Sequence, residues 1–235
     1  MVMGTARYVN SLALNELPSI VVNNTNIPFV DSVGYLGFTI TNNLSWENQI
    51  TKTTSKIFAS LHQLKLCKSL LPISLRERLV KTLIFPILDY CSAALTDITR
   101  EQNLRLQRAL NACVRFIYQA RRDEHITPYF ERLGWLKAFS RRNYLVGSLA
   151  FCILRTKKPA VIHKGYVHRS DVTSRDTRAP SDTLSLPQCR TELFRRSFRC
   201  ASIELWNGFP LNIRNAKSLD VFKSGLYDFL LSANR

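Results

Sequence analysis

Phosphoryl transfer by two metal ions requires carboxylates that converge on Mg²⁺, most simply from paired or closely spaced aspartates at a strand turn. This chain has nine aspartates and no Asp-Asp pair. Asp31, Asp89 and Asp97 each lack a second carboxylate at suitable local spacing, so no catalytic residue, metal site or cofactor is expected from the chain itself. For zinc there is one tempting set, His163, His168, Cys189 and Cys200, but it contains no Cys-x-x-Cys pair. Loop histidines and an ordinary thiol pair account for those residues more simply. Glycine-rich phosphate loops, a Gly-x-Ser-x-Gly elbow and a zincin helix are also missing.

The side chains that remain available for chemistry are cationic. Lys and Arg number 33 against 17 Asp and Glu, leaving a net charge of +16 and a pI near 10.0. Each phosphate neutralised by such a surface releases counterions, so the composition points to a polyanionic partner and to salt-dependent binding. Between residues 99 and 122 the pattern sharpens. Leu106, Leu110, Cys113, Val114 and Ile117 recur at helical spacing, while Arg105, Arg108, Arg115 and Arg122 fall on the other side as a cationic stripe. Such a stripe serves either as a solvated face or as a row of phosphate contacts. Tyr35, Trp46, Tyr118 and Trp135 lie near basic residues, where rings can stack on bases, although aromatic rings more commonly fill cores.

These side chains must be positioned by a mainly α chain. Residues 20–40 have β texture: Ile20 to Val22, an Asn23 to Asn26 turn, Ile27 to Val30, then Tyr35 to Ile40. So small a β unit needs something else to pair with. From Ser45 a long helix runs with Ile50, Ile57, Leu61 and Leu64 on one side, ending before Pro72. Capping boxes are expected at Ser74 to Glu77 and at Thr99 to Gln102, and Pro86 should kink or divide the first of those helices. Thr127 should cap, and Pro128 open, a short helix that Gly134 can end; another helix covers Ala138 to Arg155. The stretch 156–183 loses apolar periodicity and carries Lys157, Lys158, Arg169, Arg175, Arg178 and Pro180, the signature of a mobile basic linker. A short helix near Ala201 to Asn207 and a final one capped by Ser218 complete the chain. No secretory leader and no apolar run of about 20 residues is present, and the cysteines read as reduced thiols, so an intracellular protein off the membrane is expected.

Several blocks, in this order, resemble jockey-like non-LTR retrotransposon (LINE) reverse transcriptases. Asp31-Ser32-Val33-Gly34-Tyr35-Leu36-Gly37 with Leu44-Ser45-Trp46 is similar to the palm-to-thumb passage. Leu83 to Tyr90 with Leu106-Gln107-Arg108 resembles the thumb helices, and His125 to Pro128 with Leu133 to Leu136 the segment after them. Ser197-Phe198, Leu205 to Pro210, Ser218-Leu219 and Phe222-Lys223 resemble the terminal signature. Gly34 departs from the family's usual basic residue, and Gly208-Phe209 from its usual Ser-Leu.

The resemblance implies a primer-grip-like turn at Tyr35, Leu36 and Gly37 and a thumb that holds template-primer duplex. It also implies Mg²⁺-binding aspartates upstream of residue 1, in a palm carried elsewhere. The expected organisation is a residual palm β segment over 1–44, a helical thumb-like domain over 45–155, a basic linker over 156–183 and a C-terminal helical segment over 184–235. The expected function is template-primer binding, through Tyr35, Leu36, Gly37, Arg105, Arg108, Arg115 and Arg122, within an RNA-directed DNA polymerase, with no polymerase activity of the chain alone. The alternatives are a non-catalytic binding protein derived from such an element, or a non-functional relic.

Overall fold

Asn23 and Asn24 both take positive φ, 49° and 59°, and they join β1 (Ile20–Val22) to β2 (Thr25–Ile27) in an antiparallel hairpin with Ile20 opposite Ile27. Positive φ at both central residues is what a type I′ connection requires, and asparagine tolerates it. The turn is therefore shorter than the asparagine run suggests, because Thr25 and Asn26 belong to β2. A second hairpin follows from β3 (Ser32–Tyr35) and β4 (Phe38–Thr41), with Tyr35 opposite Phe38. Tyr35 to Ile40 is thus not one strand: Leu36 and Gly37, at φ 48° and 79°, reverse the chain within it.

The computed structural model describes residues 1–12, 17–172 and 183–233. It divides into two compact units, Met1–Lys56 and Ile57–Arg235. The first contains α1 (Ala6–Ser11), capped by the Thr5 hydroxyl, which accepts from the Tyr8 amide at 3.3 Å. Both hairpins and the start of α2 (Glu47–Leu66) complete it. Strands β1, β2 and β3 are exposed throughout, whereas β4 buries Phe38 and Thr41. Phe38 meets Trp46 edge-on at 5.5 Å, and the buried Gln49 accepts from the Thr39 amide at 2.9 Å.

In the second unit helices take over. After α2 a short 3₁₀ turn, Lys68–Leu70, leads to α3 (Ile73–Leu79). Pro72 stands at the start of α3 with extended backbone, and no side chain caps it. Proline pre-sets φ for the entry, which moves the helix start ahead of the box expected at Ser74. Glu77 instead pairs with Lys81 at 2.5 Å. Before Pro86 the helix widens into a π turn, Val80–Ile84, and resumes as α4 (Phe85–Asp89). The proline ring excludes the carbonyl one turn back and offers no N–H, so the division predicted there is realised.

A 3₁₀ turn, Ser92–Ala94, leads to α5 (Arg100–Tyr118), whose capping box is complete. Thr99 Oγ1 accepts from the Gln102 amide at 3.2 Å, and Gln102 Oε1 accepts from the Thr99 amide at 2.9 Å. Helix α6 (Thr127–Leu133) starts without a side-chain cap, since Thr127 is its first residue and Ile126 precedes it, and it ends at Gly134 with φ 61°. Helix α7 (Ala138–Thr156) is followed by α8 (Ala160–His163) and α9 (Arg169–Val172). The chain continues through α10 (Glu192–Arg195), α11 (Phe198–Asn207), α12 (Leu211–Arg214) and α13 (Leu219–Ser232), the last capped by Ser218.

The described part of the segment read as a linker is more ordered than its composition suggests. Tyr166 is 5% exposed and its hydroxyl lies 2.7 Å from Ser202 Oγ. On the far side Leu184 is buried, and the Asn207 amide clamps its backbone through two hydrogen bonds of 2.9 Å. One aromatic anchor leaves no periodic trace, which is why the sequence pattern misses Tyr166. Arg175, Arg178 and Pro180 lie outside the described residues.

The core of this unit is aromatic. Phe222, fully buried, stacks on Phe151 at 4.4 Å and faces Trp206 at 6.0 Å and Phe209 at 6.1 Å. Gly147 lets α7 approach: a Cβ there would lie 2.9 Å from both Leu226 and Phe209. Replacing Phe222 by Ala removes the ring shared by these contacts and should cost about 3–5 kcal/mol of unfolding free energy, measured by urea titration of the folded chain.

Candidate nucleic-acid interface

The seven residues expected to touch nucleic acid fall into both units. Tyr35, Leu36 and Gly37 form the tip of the β3–β4 hairpin in Met1–Lys56, with Tyr35 64% and Leu36 76% exposed. The tip presents a ring and an aliphatic side chain to solvent. The arginines belong to the other unit, and their environments differ.

Arg108 is exposed but pairs with Glu101 at 3.0 Å, which sets a carboxylate beside it. Arg105 is half-buried and engaged by neighbours. Arg115 turns toward the chain after α5, where it donates to the Arg121 carbonyl and, at 3.0 Å, to the Glu124 carbonyl. The helix stops at Tyr118 because Gln119 adopts φ 55°, so Arg122 stands on the loop beyond it rather than on the helical stripe.

That loop is built tightly. Glu124 accepts from the Arg121 amide at 2.8 Å and from the Tyr129 hydroxyl at 2.6 Å. These bonds, Tyr129's foremost, hold its carboxyl below the usual carboxylate range, while the same bond raises the tyrosine. With Glu124 consumed locally, the loop carries Arg122 outward.

Arg115 and Arg122 meet two lysines that the sequence reading did not single out. Lys65, at the end of α2, and Lys68, in the turn after it, line with them an open cavity of about 390 Å³, together with Phe116 and Gln119. Lys65, Lys68 and Arg122 are exposed. None of the residues lining the cavity is acidic. Among the described residues, no salt bridge engages Lys65, Lys68, Arg115 or Arg122. The site forms at the carboxy-terminal ends of two helices, where backbone carbonyls make the potential negative and favour cations.

Arg76 of α3 ties the walls together. It is 5% exposed and donates to the Ile117 carbonyl at 2.9 Å, near the end of α5, and to the Lys68 carbonyl at 3.0 Å. One planar guanidinium thus joins the turn bearing Lys68 to the helix bearing Arg115. Nothing in sequence periodicity marks it, since an arginine in a capping-box window reads as a solvent-facing residue.

The three aspartates singled out in the sequence each engage a separate partner. Asp89 forms a two-pronged pair with Arg141 at 2.6 and 2.5 Å, Asp97 meets Arg196 at 3.5 Å, and Asp31 accepts from Asn42 at 2.8 Å. No group of three or more His, Cys, Asp or Glu side chains among the described residues is arranged to hold a metal ion. No described helix is long and apolar enough to cross a membrane. Comparison with family models, with curated proteins and with solved structures finds no match.

Arg76→Ala should remove two carbonyl partners at once and cost about 2–4 kcal/mol. Lys at the same position should restore less than half of the loss in denaturant titration, because a single ammonium cannot reproduce the fork.

Proposed function

We propose that the chain grips the phosphate backbone of a nucleic-acid duplex, an RNA–DNA template-primer hybrid, through the cationic cavity at the ends of α2 and α5. It does so as the thumb-like part of an RNA-directed DNA polymerase of the non-LTR retrotransposon type. The observation that carries the reading is the convergence of Lys65, Lys68, Arg115 and Arg122 on one open cavity without a lining carboxylate. The net charge of +16 supplies the long-range attraction.

The chemistry suits phosphate. Lysines act as mobile point charges, and an arginine offers a planar fork to phosphate oxygens. Arg115 has committed donors to its loop, so its part is positioning and field rather than a full fork. Ala112 and Ala120, part-exposed, give the cavity an apolar wall against which a sugar can rest. Tyr35, Leu36 and Gly37 fit a role at the primer end, by the resemblance of their block to a primer grip. Nucleotide addition would need Mg²⁺ and clustered carboxylates supplied by a palm, so the chain alone should not extend a primer.

Fluorescence anisotropy with a labelled hybrid duplex tests this. Affinity should fall steeply with salt, and each of Lys65→Ala, Lys68→Ala and Arg122→Ala should lower the log–log salt slope by about 1. Lys217→Ala, at an exposed position away from the cavity, should leave the slope unchanged. Equal slopes for all four variants would remove the cavity from the account.

A further inference from the structure

We propose that Cys189 and Cys200 form an oxidisable dithiol, a modification site whose disulfide closes the arginine-bearing loop between them. Their sulfurs lie 3.4 Å apart, and Cys189 Sγ lies 3.3 Å from the Pro187 carbonyl. Cys200 can therefore donate to Cys189 while Cys189 donates to the carbonyl, which holds the two sulfurs within reach of each other. A disulfide needs about 2.05 Å between sulfurs, a small closing movement.

The two thiols differ in access. Cys200 sits in α11 at 0% exposure, and Cys189 is part-exposed in the chain before α10. An oxidant therefore reaches Cys189 first, and Cys200 is placed to resolve the product. With glutathione disulfide the Cys189 thiolate attacks one sulfur and releases one glutathione. The Cys200 thiolate then attacks Cys189 Sγ in the mixed disulfide and releases the second. Two electrons pass from the protein thiols to the glutathione disulfide, and the two thiol protons end on the two glutathiones. Burial, then the hydrogen bond with Cys200, holds the Cys189 thiol above its usual value, so the first step is slow.

The loop is already bent for closure. Thr191 caps α10 by accepting from the Phe194 amide at 3.2 Å, Arg196 pairs with Glu192 at 2.9 Å, and Arg199 donates to the Gly165 carbonyl at 3.3 Å. Arg190, Arg195, Arg196 and Arg199 all lie between the two cysteines. Oxidation would add a covalent tie between this basic segment and α11, and reduction would remove that tie.

The test incubates the full folded chain with excess glutathione disulfide, then digests it without reductant for peptide mass spectrometry. The expected result is a Cys189–Cys200 linked peptide, with a rise in Tm of roughly 5 °C that dithiothreitol reverses. The Cys67→Ser/Cys91→Ser variant, which lacks the two exposed thiols, should give the same linkage, and Cys189→Ser should give neither linkage nor shift. The proposal is overturned if both thiols stay reduced, if Cys189 retains glutathione while Cys200 remains free, or if either pairs with another cysteine.

Discussion

Like charges repel, and the four cations around the α2–α5 cavity meet against partial charge of opposite sign. The peptide backbone supplies that charge. The ends of α2 and α5 present carbonyls that lack intrahelical partners, and the guanidinium groups of Arg76 and Arg115 satisfy carbonyls there and in the adjoining loop and turn. Arg76, buried, is the joint on which the rest of the surface depends. Arg76 commits its two terminal nitrogens to the frame, while the Lys65, Lys68 and Arg122 side chains face solvent.

Several other arginines are engaged within the fold. Arg141 grips Asp89 with two bonds and lies 3.9 Å from the Phe85 ring centre. Arg142 is nearly buried, donates to Asn103 at 3.1 Å, and is pushed down to about 10 by loss of solvent. Arg196 bridges Glu192 and Asp97. A net charge of +16 therefore overstates the surface available to a polyanion, and the location of unpaired cations matters more than their number.

Local rules made much of the helical fold legible. The Thr99 box, the Ser218 cap, the Gly134 stop and the Pro86 break each rest on contacts within one or two turns, and each stands where sequence put it. What was missed depended on competition or distance. Pro72 displaced the Ser74 box by starting α3 earlier, and Leu36 accepted a left-handed conformation that its own side chain disfavours. Arg76 was invisible because its partners lie up to 41 positions away. Of the expected stripe, the structure brings Arg115 and Arg122 to one cavity and gives Arg108 a carboxylate. The lysines that complete the cavity come from the end of α2 and the turn after it, and the register of α5 alone could not reveal the meeting.

The central claim is that a duplex phosphate backbone occupies this cavity. Lysine acetylation footprinting, with and without an RNA–DNA hybrid, addresses it directly. The account predicts that Lys65 and Lys68 become protected while Lys217 reacts as before. Unchanged labelling of Lys65 and Lys68 under conditions where the duplex is demonstrably bound would contradict it.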